Sequence, residues 1–185
     1  MDLLAQKMNA SGGLIAGPIA IGETGLDFRE QFLEHEEQQI TFFENQIALA
    51  KIAHKPLILH VVRAHEEALK ILRTWEPPSR GGMAHAFNSS VEIAQKYLDL
   101  GFLISIGGAI TYEKNQKLRN TVRSLSLDNF LLESDSPDQP PQGWQGSNTP
   151  CSLWLVAAEI AKIKDISPDK VLEQATLNFK RLFRV

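Results

Sequence analysis

Four side chains able to bind a divalent metal, Glu23, His60, His85 and Asp135, each stand at or shortly after the end of a short apolar run. Two imidazoles and two carboxylates make a mixed nitrogen and oxygen donor set, suited to zinc, manganese or another borderline ion and less suited to calcium. Each residue also has an ordinary reading. A histidine after an apolar run is more often a hydrogen-bonded core residue, Glu23 can cap a helix, and Asp135 can begin the Ser136-Pro137 turn. Their recurrence at one topological position is what argues for a shared role. His35, His54 and His65 fall in or beside helical segments and read as surface or capping residues. His35-Glu36-Glu37 begins like a zinc-protease helix, but Gln39 stands where the second histidine is needed. The sequence contains no Gly-x-Ser-x-Gly elbow, no Walker loop and no Gly-x-Gly-x-x-Gly after a strand, and Gly12-Gly13 with Gly17 reads as a loop.

The apolar runs that carry these residues alternate with longer amphipathic stretches. Pro18 to Gly22 reads as a strand leading to Glu23 and the turn residues Thr24-Gly25, Pro56 to Leu59 as a strand ending at His60, and Gly82 to Ala84 as a strand leading into His85. Phe102 to Ile106, closed by Gly107-Gly108, and Phe130 to Leu132, leading to Asp135, complete five strands. Helices are expected near 30–53, where Phe32, Ile40, Phe43, Ile47 and Ala50 recur at spacings of three, four and seven, and near 64–75, 89–99, 114–124, 152–164 and 168–183. Gly101 suits a helix C′ position, and Ser167-Pro168 an N-cap followed by proline at N1. A Pro-, Gly- and Gln-rich loop is expected over 136–150. Strands apolar on both faces and alternating with helices imply βαβ units and a parallel α/β sheet, in which functional groups gather at the C-terminal strand ends.

The 185 residues carry a net charge of −3, so no basic surplus drives sequence-independent nucleic-acid binding. Charge balance alone favours a small-molecule enzyme. The single cysteine, Cys151, excludes an internal disulfide framework and fits a reducing compartment. It reads as a small residue packed near a helix start. No signal peptide is visible in Met1 to Lys7 and no run approaches the about 20 apolar residues of a membrane span, so the expected location is the cytoplasm. Nothing in the sequence sets an interior domain boundary or an oligomeric state.

Ile21-Gly22-Glu23-Thr24-Gly25-Leu26-Asp27, Leu59-His60-Val61-Val62-Arg63, His85-Ala86-Phe87-Asn88-Ser89-Ser90 and Leu131-Leu132-Glu133-Ser134-Asp135-Ser136-Pro137 resemble, in order, four motifs of the TatD family of metal-dependent deoxyribonucleases. Asn178-Phe179-Lys180-Arg181-Leu182-Phe183 resembles that family's ending. The resemblance implies a TIM-type (β/α) barrel and a site for two divalent metals (zinc, manganese or magnesium), with DNA or a nucleotide-like phosphodiester as substrate. It implies Glu23 as a carboxylate bridging both metals, His60 and His85 as ligands to one, and Asp135 as ligand to the other and orienter of the attacking water. Arg63 is expected to clamp a phosphate oxygen. It stands three residues after His60 where the family arginine stands two after, and an arginine at a surface helix start is the alternative. Trp144 is expected to stack a base or to cover the site mouth.

Members of the family open with a strand ending in His-x-His, and no His-x-His occurs in this sequence. The first strand here matches the family's fourth, so the expectation is one incomplete hydrolase domain over residues 1–185 with about five of eight βα units. The alternatives are a weakly active or inactive homologue that binds one metal, and an amidohydrolase acting on a small amide, lactone or ester.

Overall fold

The computed structural model describes residues 17–185. The readings of Met1 to Lys7 and of Gly12-Gly13 lie outside the described residues. The chain divides into two compact units. The first takes in the chain to Met83 together with Leu100–Phe102, and the second takes in Ala84–Asp99 and Leu103–Val185.

In the first unit β1 (Ile21–Asp27) pairs in parallel with β2 (Leu57–Val62), and β3 (Gly82–Ala84) begins beside β2. The backbone joins them through Ile21 N to Pro56 O (2.9 Å) and Leu57 N to Gly81 O (3.0 Å). A short 3-10 turn, Glu30–His35, leads into helix α1 (Glu36–Ala53), and α2 (His65–Trp75) follows β2. Glu36 and Glu37 favour the positive N-terminal end of α1. His54, in left-handed geometry, closes α1 through its N–H to the carbonyls of Ala50 and Lys51. Leu26, Leu57 and Leu59 of the strands are buried with Phe43 and Ile47 of α1 and Leu69 and Leu72 of α2. Each such side chain contributes about 1.5–3 kcal/mol by leaving water.

In the second unit α3 (Val91–Asp99) follows β3, and β4 (Phe102–Ile106) pairs in parallel with β5 (Phe130–Leu132). Helix α4 (Gln116–Ser124) joins those two strands, and α5 (Leu153–Lys164) and α6 (Pro168–Phe183) close the chain. Ile104, Ile106, Phe130 and Leu131 of the strands are buried, as are Leu118 and Val122 of α4 and Val156 and Ile160 of α5. Ser167 caps α6 by accepting from Lys170 N, with Pro168 in its first turn, as the sequence predicts. Gly101, at φ 82°, takes the left-handed position after α3 that glycine adopts without cost. Cys151 lies at the start of α5 as expected but is exposed, not packed.

The α/β alternation and the parallel pairing agree with the sequence reading, and β3, β4 and β5 have the expected bounds. The first two strands do not. Pro18–Ala20 stay outside the sheet, while Thr24 and Gly25, expected in a turn, lie within β1. His60 is followed by two further strand residues, Val61 and Val62.

Two polar devices hold the helices of the second unit. Asn178 is fully buried in α6 and donates to the carbonyls of Leu127 (2.8 Å) and Phe130 (2.7 Å), anchoring the entry to β5. Arg119 of α4 donates to Glu159 of α5 (2.6 Å) and to the Ile110 carbonyl (3.1 Å). Burial raises the Glu159 pKa, but hydrogen bonds from Arg119 and Lys162 outweigh it and hold the carboxyl below its ordinary value of 4.5. A carboxyl depressed in the folded state adds stability above its unfolded pKa and loses it as pH falls through the folded value. Glu159→Gln is therefore expected to cost about 1–3 kcal/mol at neutral pH. The difference from wild type should shrink as pH falls below 4.5, measured by urea unfolding across the acid range. Asn178→Ala, which orphans two carbonyls, is expected to cost about 2–3 kcal/mol at every pH by the same measurement.

Candidate metal centre

Glu23 lies in an irregularity of β1. Ile21 pairs with Leu57 and Thr24 with Leu59, so three steps on β1 oppose two on β2. A bulge of this kind re-aims a side chain that strict alternation would place elsewhere, and here it spans Gly22 and Glu23. Downstream the register is regular, with Gly25 opposite His60 and Asp27 opposite Val62. Gly25 has φ 147°, and a Cβ there would lie 2.1 Å from the His60 carbonyl oxygen. No L side chain fits, which is why a glycine sits inside this strand.

The His60 ring stands between two carboxylates, with Nδ1 3.8 Å from Glu23 Oε2 and Nε2 3.6 Å from Asp27 Oδ2. Asp27 was not among the residues singled out from the sequence. Arg29 grips its carboxylate through Nε, 2.9 Å from both oxygens, and through Nη2. Chiefly that Arg29 hydrogen bond holds the Asp27 carboxyl below its ordinary value, against the opposing effect of burial. Gln39 of α1 brackets the same residue, accepting from Asp27 N (2.7 Å) and donating to its carbonyl (3.1 Å). A cavity of about 650 Å³ opens here, lined by Glu23, Asp27, His35, Gln39, Phe42 and His60 among others. His35 is thus a cavity-wall residue as well as the residue before α1.

In the second unit His85 follows β3 directly. Its Nδ1 lies 2.9 Å from Glu133 Oε2 and its Nε2 3.5 Å from Asp135 Oδ1, and its side chain is only 9% exposed. Glu133 also accepts from Ala86 N and from Ser105 Oγ, each at 2.5 Å. Asp135 accepts from Gln139 Nε2 (2.6 Å). Asn148 donates to the carbonyls of Ser134 and Asp138, both at 2.6 Å, and so clamps the loop on either side of Asp135. Glu133 and Ser105 were missed. The available signal was a polar residue inside each of two apolar strand regions.

The structure therefore pairs Glu23 with His60, and His85 with Asp135. The donor set fits a divalent ion: imidazole nitrogens and carboxylate oxygens, with the other nitrogen of His85 already hydrogen-bonded to a carboxylate, as metal-binding histidines usually are. Arg63, Ala86 and Asp135 each follow a strand with φ of 55°, 44° and 52°. Left-handed backbone at non-glycine residues is uncommon and costs about 1–3 kcal/mol where it occurs, so its repetition at these strand ends marks tightly determined turns. Arg63 is exposed. Trp144 is half-buried in the 136–150 loop and donates through Nε1 to the Ser147 carbonyl (3.0 Å). Among the described residues no helix is long and apolar enough to cross a membrane.

Gly25→Ala should force β1 away from His60 and cost about 3 kcal/mol or more. Chemical denaturation measures it, and a loss below 1 kcal/mol would mean the strands do not meet this closely.

The model of the family described as TatD related DNase matches residues 15–184. An uncharacterized metal-dependent hydrolase, YabD of Bacillus subtilis, is 34% identical over 168 residues, 90% of this chain and 66% of that protein. The 3'-5' ssDNA/RNA exonuclease TatD of Erwinia amylovora is 34% identical over 171 residues, 89% of this chain and 66% of that protein. The chain thus spans just under two thirds of the length of these relatives. The crystal structure of YjjV, a TatD homologue from Escherichia coli, superposes with a TM-score of 0.88 and 31% identity, covering 100% of this chain and 70% of that one. That likeness agrees with the expected class of parallel (β/α) barrel. On the extent of the family match and the identity of these relatives, the chain belongs to the TatD-related DNase family.

Proposed function

We propose that the chain carries the site of a metal-dependent hydrolase that cleaves phosphodiester bonds in DNA, with Glu23, His60, His85 and Asp135 as metal ligands. The observation that carries this reading is the pairing of each strand-end histidine with a carboxylate, on the motifs by which the chain resembles the family. It is supported by relatives whose names say metal-dependent hydrolase and, in one case, single-stranded DNA and RNA exonuclease. A bound zinc, manganese or magnesium ion, two in the complete centre, would acidify a water molecule and neutralise charge developing on phosphate. The chain's own groups do the rest. Asp135 is 27% exposed, so water reaches it, while the Gln139 hydrogen bond fixes one of its oxygens. That makes it the group to orient the attacking water and accept its proton. Glu23, half exposed beside His60, would supply a carboxylate oxygen to hold the metal. Arg63 supplies a cation for a phosphate oxygen, and Trp144 an aromatic face for a base. We place this single hydrolase domain in the cytoplasm, in keeping with its lone cysteine.

The net charge of −3 supports a second reading, a small neutral amide, lactone or ester as substrate. A panel of single-stranded DNA ends, esters and lactones separates the two. Hydrolysis of DNA is expected, lost on chelation and reduced by about 100-fold or more in His60→Ala and His85→Ala. Activity that survives both treatments would reject the metal mechanism, and turnover confined to lactones or esters would reject DNA as substrate.

A further inference from the structure

The second unit contains a half-buried carboxylate, Glu133, to which the proposed reaction assigns no part. We propose that Glu133 is a positioning residue that fixes the tautomer and ring direction of His85, so that Nε2 is the nitrogen offered to a metal. The inference rests on the metal reading above and specifies which atom of the site that reading uses.

Three groups converge on this one carboxylate. Ala86 N–H, which can only donate, meets Oε1 at 2.5 Å. Ser105 Oγ and His85 Nδ1 meet Oε2 at 2.5 and 2.9 Å. Ser105 is fully buried and the Glu133 side chain is 12% exposed, so these partners are not exchanged freely for water. An ionised carboxylate accepts only. The imidazole nitrogen facing it must therefore carry hydrogen, and in a neutral ring the lone pair then lies on Nε2. That nitrogen faces Asp135 Oδ1 at 3.5 Å, beyond a good hydrogen bond and on the side where a second metal ligand stands. Ser105 and Ala86 serve the same end from behind, because they hold the carboxylate in the plane from which it accepts the Nδ1 hydrogen. The arrangement is the carboxylate–histidine–metal relay in which an outer carboxylate sets the basicity and angle of the ligand.

Glu133→Gln tests this without relying on turnover. The amide has one acceptor and one donor group where three donors converge. Either its NH2 faces Ala86 N–H, or it faces His85 Nδ1 and favours the opposite tautomer. The full chain, labelled with 15N-histidine and freed of metal, is examined by NMR at about pH 8.5, where histidines are ordinarily neutral. The His85 signals are assigned by their loss in His85→Asn. Wild type should show hydrogen on Nδ1 of His85, and Glu133→Gln a shift toward hydrogen on Nε2. Calorimetric titration with Zn²⁺ and Mn²⁺ should show affinity about 10–100-fold weaker in Glu133→Gln, largely restored in Glu133→Asp. Ser105→Ala, which leaves the His85–Glu133 bond in place, should retain the wild-type tautomer. Wild-type hydrogen on Nε2, or unchanged metal affinity in a folded Glu133→Gln, overturns the inference. If Glu133→Gln does not fold, the wild-type tautomer decides it. Wild type that binds neither ion while carrying hydrogen on Nδ1 overturns the metal reading instead.

Discussion

A carboxylate largely withdrawn from water has to be given hydrogen-bond donors, since desolvation without them is costly. Glu133, which follows β5, obtains its donors from two stretches of chain far from it in sequence, the turn after β3 and β4. Satisfying it therefore fixes the strands as well as the side chain. Phe87 N donates to Ser105 O and Glu133 N to Ile106 O, both at 3.1 Å, extending the backbone pairing to the level of the carboxylate. His85 and Asp135 then take their positions with little freedom left. One lies against Glu133, and the other stands two residues beyond it in a loop clamped by Asn148.

The first unit reaches a similar result by steric rather than polar means. Gly25 lets β1 lie against the His60 carbonyl, and the bulge at Gly22–Glu23 sets the glutamate beside the His60 ring. Gln39 hydrogen-bonds to both the N–H and the carbonyl of Asp27, so α1 holds the end of β1 as a neighbouring strand would. Arg29 balances the charge on Asp27. His60 is thereby held between carboxylates on both sides of its ring.

How much of this was legible in the sequence depended on how local the deciding interaction is. β3, β4, β5 and α6 are read with their observed bounds because their signals are local: short apolar runs, or a cap followed by proline. β1 and β2 were misplaced because a contact between strands decides them. Thr24-Gly25 has the composition of a turn, and only the closeness of the His60 backbone makes glycine a strand residue there. His60 then looked like a strand end because its pairing through Val62 depends on the same register. The four candidate ligands stand out in the sequence by their repetition after apolar runs, and the structure sets Glu23 beside His60 and Asp135 beside His85. Their supports do not stand out, because Glu133, Ser105 and Gln39 act through partners 28 to 48 or, for Gln39, 12 residues away. A serine within Phe102–Ile106 and a glutamate just after Phe130–Leu132 were the visible trace of a buried polar pair, since such a group persists in a core only when a partner meets it.

The acidic balance of the chain looks different once these groups are placed. A net charge of −3 at first counted against a polyanionic substrate. Yet Glu23 and Asp27 stand beside His60, and Glu133 and Asp135 beside His85, with Arg29 answering Asp27. Part of the negative charge thus stands beside histidines and is not spread over the surface. Under the proposed function each divalent ion offsets two of those charges at the place where phosphate would arrive, and the local field there opposes the net charge of the chain. Bulk charge reports on non-specific attraction to nucleic acid. It says little about a centre whose cation is not encoded in the polypeptide.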